Sequence, residues 1–253
     1  VVFLLSRGFS LAQVGIAEGV FHIVSFLFEV PSGMLADLMG RKRTLALSSL
    51  FGIVSALSMA LSQGFWGVCV SMAFQALMYN LCSGTQEALT YDSLKAAGKE
   101  GSYLRQNAWL MGASQASASL SKLLGGVAAL LGFFPAYLLT AACSAVCGSA
   151  ALALAEPLVT ETQRQRTQHP FAQLGPRLKR HFWESWRFLR RNPRAAWMIL
   201  AGGAAATPVY LTFMYLQQHL LDSGLPTLYL GAALMVPGLA GTFGMALAAR
   251  SKG

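Results

Sequence analysis

Apolar residues in this chain arrive in long blocks broken by short polar interruptions, with no sustained alternation between the two. Seven blocks cover roughly residues 11–31, 44–63, 65–90, 106–131, 133–155, 195–216 and 227–249, and Val1 to Leu5 has the character of the tail of an eighth. Each main block runs to about 20 residues or more, the length a helix needs to cross a hydrocarbon core about 30 Å thick. Membrane strands are about half as long and alternate apolar with polar positions, so the blocks predict helices, which satisfy their own backbone hydrogen bonds in lipid. The expected fold class is all-α, a polytopic helical bundle in a membrane. Apolar blocks lie against both Val1 and Gly253, which predicts that the chain is a piece of a longer protein.

Composition strengthens the membrane reading. Hydrophobic residues make up 55% of the chain and charged ones only 11%, against about 25% charged in soluble domains, and the mean hydropathy is +0.50. A net charge of +9 raises nucleic acid as a partner, but a binding face would gather its cations on one soluble domain. Here they fall in short segments between apolar blocks, and no nucleic acid is expected.

Those segments set the orientation, because lysine and arginine accumulate in cytoplasmic loops. One set of connections holds Arg41, Lys42 and Arg43, then Lys95, Lys99 and Arg105, then the cations between Glu156 and Arg194, then Arg250 and Lys252. The opposite set holds only Arg7. Loops 40–43, 92–105 and 156–194 are therefore expected in the cytoplasm. Lys122 is the cation left inside a block.

The longest connection divides the chain into three parts: residues 1–155 as a first set of helices whose first member is truncated, 156–194 as a basic linker, and 195–253 as the start of a second set. Within the linker, "RLKRHFWESWRFLRRNP" spaces Leu178, Phe182, Trp186 and Leu189 at helical intervals beneath a basic face. This is the pattern of a helix lying in the membrane interface, with an ordinary linker helix as the alternative. Cys69, Cys82, Cys143 and Cys147 all stand in apolar blocks without ligand-like spacing to histidine, and read as small packing residues.

Polar residues inside the blocks carry the candidate chemistry, because each is costly in hydrocarbon and usually faces a bundle interior or a wet cavity. Glu18, His22, Ser25 and Glu29 are spaced four, three and four apart, which puts them on one helical face. A carboxylate one turn from an imidazole suits proton relay or the binding of a polar substrate. The structural alternative has Glu18 solvated near the outer surface and Glu29 capping the cytoplasmic end. In the block at 65–90, Asn80, Ser83, Gly84 and Glu87 lead to Tyr91 along one face, with Glu87 still in apolar surroundings. In the next block Gln115, Ser119 and Lys122 share a face. A Glu87–Lys122 ion pair is one reading; direct contact of each with a substrate is the other. Glycines 112, 125, 126, 231, 238, 241 and 244 offer close helix approach, and Pro208 and Pro237 offer kinks. No metal-ligand set and no grouping of nucleophile, base and orienting residue stands out, so neither a cofactor nor an enzymatic role is expected.

One stretch is more specific. "GMLADLMGRKRTL", Gly33 to Leu45, resembles the loop between the second and third helices of the major facilitator superfamily: Gly, any, Leu, Ala, Asp, Arg, any, Gly, Arg, Lys, two of any, Leu. Gly33, Leu35, Ala36, Asp37, Gly40, Arg41, Lys42 and Leu45 match, and Leu38 stands where a basic residue is usual. The lead-in from Glu29 to Gly33 and the segment "SGTQEALTYDSL" resemble one branch of the same family.

The resemblance implies twelve helices in two six-helix halves around a central cavity, with alternating access by rocking of the halves. This chain would then hold most of helix one, or only its end, and helices two to eight, and its missing C-terminal helices would be its nearest partners. It also implies that Asp37 meets the eleventh helix, absent here, and that Arg41 pairs with an acid at the end of the fourth helix, where Asp92 stands. Two further family patterns are altered. The fourth-helix pattern arginine-x-x-glutamine-glycine aligns on Asn80 to Gly84, with Asn80 in place of the arginine; the antiporter pattern of the fifth helix aligns on Ser117 to Gly126, with Ser121 and Lys122 in place of glycine and proline. The function implied is secondary active transport of a small solute, export favoured over uptake, with a coupling proton or cation running through Glu18, His22 or Glu87. The alternative is a membrane receptor or scaffold that keeps the fold without transport.

Overall fold

The computed structural model describes residues 2–157, 170–226 and 229–236. Its helices are α1 (Val2–Ser6), α2 (Leu11–Met39), α3 (Arg41–Leu61), α4 (Phe65–Ala96), α5 (Tyr103–Leu131), α6 (Phe133–Ala153), α7 (Pro170–Arg191) and α8 (Pro193–Asp222), with a short 3-10 turn at Glu100–Ser102. Residues 229–236 are again helical, and no strand occurs among the described residues. The rest of the block expected at 227–249, with Gly238, Gly241, Gly244 and Pro237, lies outside them, as do Arg250 and Lys252.

Five of these helices, α2, α3, α4, α6 and α8, are long and apolar enough to cross a membrane. α5 is long enough at 29 residues, but Arg105, Gln106, Asn107, Gln115 and a run of serines make its first half more polar than theirs. α2 and α4 outrun the blocks that predicted them, reaching Met39 and Ala96. Once outside hydrocarbon a helix can continue on polar residues, and hydropathy no longer marks its end.

That overrun corrects one expectation. The stretch matched to an interhelical loop is helical from Gly33 to Met39 and again from Arg41, so the loop is the single residue Gly40. Gly40 takes φ 97° and ψ 151°, a positive-φ conformation that a side chain opposes. One glycine thereby reverses the chain between two spans.

The packing centre is α3, which lies against α4 and α6, while α2 packs along α4. Small residues make the approach possible. A Cβ on Gly52 would come 2.9 Å from Met78 Sδ and 3.0 Å from Ser144 Oγ, and one on Gly148 would come 3.1 Å from Ser49 Cβ. Ser55 and Ser71 lock α3 to α4: each hydroxyl donates to the other's backbone carbonyl, at 3.0 and 2.8 Å, inside a buried seam. Gly52→Val is therefore expected to lower stability by about 1–3 kcal/mol through overpacking, read as a lower melting temperature of the purified protein in detergent. An unchanged melt would mean that the three helices do not meet this closely.

Outside that seam large apolar side chains point outward, Phe26, Trp66, Trp109, Leu139, Trp197 and Met198 among them. In water this would be an aggregating surface; in a bilayer it is the lipid face. At the end of the bundle away from Gly40, Arg7, the exception to the charge asymmetry, donates to the carbonyls of Met59 and Ser62 at the end of α3 and lies 5.3 Å from the Phe3 ring centroid. Its charge sits where a helix C-terminus attracts a cation.

Candidate functional site

α2 is the element on which the polar residues gather. Ser10 caps it, accepting from the Gln13 N–H at 3.2 Å while Gln13 Oε1 accepts from the Ser10 N–H at 2.9 Å. From there one stripe of the helix, Gly15, Glu18, His22, Glu29, Gly33 and Asp37, runs toward the Gly40 reversal.

At that end the side chains converge on Arg41. Its Nη2 lies 2.8 Å from Asp37 Oδ1, one helical turn earlier across the Gly40 reversal, and its Nε lies 3.8 Å from Asp92 Oδ2 on α4. Its backbone N–H, a donor that the first turn of α3 leaves without a helical partner, donates to Glu156 Oε1 at 2.6 Å. An anion at a helix N-terminus also gains from the helix dipole. The Thr44 hydroxyl, in turn, donates to the Gly40 carbonyl at 2.9 Å and braces the reversal. Arg41 thus ties together α2, α3 and α4 through its guanidinium and the residues just past α6 through its backbone N–H. The side chain of Arg41 is 17% exposed, whereas that of Asp37 is 61% exposed. Lys42 is half-buried, and Gly33 is exposed one turn before Asp37 with open space around it.

Toward its N-terminal end the stripe meets α8. The Tyr210 hydroxyl donates to Glu18 Oε2 at 3.1 Å, and the Tyr210 ring stands edge-on to His22 with centroids 5.0 Å apart. A Cβ on Gly15 would lie 3.5 Å from the Tyr215 hydroxyl. Glu18 and His22, expected together, are together, and both face the first long helix beyond the linker.

The other candidates separate. Ser25 turns to α4, where its hydroxyl donates to Asn80 Oδ1 at 2.8 Å and Asn80 Nδ2 donates to the Ser25 carbonyl at 2.6 Å. Asn80 is 4% exposed and is occupied by this tie. Glu29 is exposed. Glu87 lines a cavity of about 370 Å³ between α4 and α5 with Tyr79, Ser83, Thr90, Asn107 and Ser114. Lys122 lies on α5, but its side chain falls outside the described residues, and so does any Glu87–Lys122 pair. Among the described residues no group of metal-ligating side chains forms, and the four cysteines are free thiols.

Residues 2–251 match the sequence profile of the Major Facilitator Superfamily. The chain belongs to the major facilitator superfamily. It is 26% identical over 234 residues to an uncharacterized MFS-type transporter, YxaM of Bacillus subtilis (strain 168), a match that covers 91% of this chain and 56% of that protein. It is 32% identical over 69 residues to the inner membrane transport protein YajR of Escherichia coli (strain K12), covering 27% of this chain and 15% of that protein. The chain thus spans at most about half the length of these curated relatives. No solved structure matches it significantly. Membership makes this an integral, multi-pass membrane protein, in keeping with its five membrane-length helices.

Within that family frame the structure adds partners that sequence reading did not supply. Glu156 and Tyr210 lie 115 and 192 residues from their contacts, Arg41 and Glu18. Glu156 carried one legible signal, as the acid that ends an apolar block just ahead of a basic linker. Tyr210 carried none beyond being a tyrosine in a span.

Proposed function

We propose that this chain is the N-terminal part of a secondary active transporter that moves a small solute by alternating access, with export as its direction. The observation that supports it best is Arg41 held between exposed Asp37 and buried Asp92 across a one-residue reversal. Such a cation can keep one carboxylate while releasing the other. Asp37 is free to trade Arg41 for the N-terminus of a helix from the other half, the exchange of contacts that a rocking cycle needs. Glu18 and His22, with Tyr210 across the gap, form the polar group nearest the outer end, and Glu87 lines the cavity between α4 and α5. These are the positions proposed for solute or a coupling proton.

The direct test is flux. The complete protein in sealed vesicles should move protons when a transported solute is added, and everted vesicles should accumulate that solute. Absence of any solute-dependent proton movement across several pH values would remove the coupling, and solute binding with no flux would favour a receptor that keeps the fold.

The outer contact makes a separate prediction. Tyr210→Phe keeps the ring beside His22 and removes the hydroxyl that reaches Glu18. Turnover should change several-fold, about 1 kcal/mol, below the about 1.5–3 kcal/mol of a hydrogen bond to a charged group because this contact is exposed. Combining it with Glu18→Gln should add little, because both remove one interaction. Additive effects in that cycle would show that the two residues act separately.

A further inference from the structure

The feature that neither gate nor cavity uses is α7. At 100° per residue, Leu178, Phe182, Trp186 and Leu189 occupy an arc of about 80°, while Lys179, Arg180, Arg187, Arg190 and Arg191 fill the adjoining arc of about 120°. Those five cations are all exposed. So are Phe182, Trp183, Trp186 and Phe188. Glu184 is the one acid in the helix, and it lies 3.9 Å from Arg180 on the exposed surface, which leaves most of the positive charge without an anion from its own helix. Two contacts fix where this surface sits. α7 packs against α2 and α8, and one residue, Asn192, separates its end from Pro193, where the membrane-length α8 begins. Asn192 takes φ −125° and ψ 73°, so the helix breaks there and α7 is no continuation of the span. That junction holds the C-terminal end of α7 at the end of a span.

We propose that α7 is a docking surface for anionic phospholipid on the cytoplasmic leaflet, its cations meeting phosphate-bearing headgroups and its tryptophans lying at headgroup level. Charge complementarity selects that occupant: a dense row of guanidinium groups beside aromatic rings matches a negative, half-apolar interface. The positive-inside asymmetry puts the helix on the side where anionic lipids attract cations. The surface rests on membrane placement and not on transport, so it stands or fails independently of the proposed activity.

The test uses the complete protein carrying Trp66→Phe, Trp109→Phe and Trp197→Phe, which leaves Trp183 and Trp186 as the emitters of this region. All three replaced rings are exposed, so the fold should tolerate the change. Any tryptophans of the missing portion are replaced in the same way. In vesicles of phosphatidylcholine with about a quarter phosphatidylglycerol, brominated phosphatidylglycerol should quench emission about twofold more than the same amount of brominated phosphatidylcholine. The preference should vanish when Lys179, Arg180, Arg187, Arg190 and Arg191 are all replaced by Gln. It should also fade at about 1 M salt, where screening acts over about 3 Å. Equal quenching by the two lipids in the parent protein would overturn the proposal, as would a preference that survives the five replacements. Absence of quenching by either lipid would place α7 against a protein partner instead, and would also overturn it.

Discussion

Asp37→Asn is expected to lower solute turnover by at least about tenfold, equivalent to about 1.4 kcal/mol in an activation barrier, while the complete protein inserts and folds as before. The separation of the two effects follows from exposure. With its side chain 61% exposed, Asp37 contributes little to stability through its ion pair, since solvent screens such pairs to about 0–1 kcal/mol. A loss of transport must then come from the exchange of partners during the cycle. Arg41→Gln is the contrasting case. Its side chain is 17% exposed and lies between Asp37 and buried Asp92, so removing it should cost about 1.5–3 kcal/mol of stability in addition to transport. Flux in vesicles and melting in detergent, measured on both variants, distinguish the roles. Normal turnover in Asp37→Asn would remove the cytoplasmic gate from the proposal.

Much of this arrangement is legible in the amino-acid sequence. Block length anticipated the five membrane-length helices, because lipid imposes a length on every crossing helix, whereas the unequal distribution of lysine and arginine remains the sole basis for their expected sidedness. The Gly33 to Leu45 stretch located the cytoplasmic cluster, and the Arg41–Asp92 pair is present as expected. What failed to show was local in some places and distant in others. The reversal at Gly40 looked like a loop because charged residues interrupt the hydropathy on both sides, yet they lie on helices that have left the membrane. Glu29 shares its stripe with Glu18 and His22 but does not share their neighbours, since a face is a direction and says nothing of what is packed there. Tyr210 could not be paired with Glu18 by spacing at all. Contacts between elements 192 residues apart are decided by the packing of whole helices, which no local period encodes.

Asn80 shows how a family position can change its work. Its amide is both donor and acceptor toward Ser25 in the α2–α4 seam, at 2.6 and 2.8 Å, with 4% exposure. Asn80→Leu should therefore lower stability by about 1–3 kcal/mol, the cost of leaving buried polar groups without partners. The Ser25 carbonyl also takes part in the α2 ladder and its hydroxyl can turn to a carbonyl one turn earlier, so the lower part of that range is expected. Asn80→Asp keeps the shape and should be worse at neutral pH, because a carboxylate set against the Ser25 carbonyl has no proton to donate and meets another oxygen. Acidic solution restores that proton and with it a donor, so the deficit relative to Asn80 should grow as pH rises. Melts of the two variants at pH 5 and pH 8 read the difference directly; a ranking that puts Leu below Asp at both values would mean that the seam is wet and the amide pair incidental. If the expected ranking holds, a proton-coupled cycle in this chain cannot run through the fourth-helix position where the family pattern has arginine. The coupling would then fall to Glu18, His22 or Glu87, the acid and imidazole groups that remain beside solvent-accessible space.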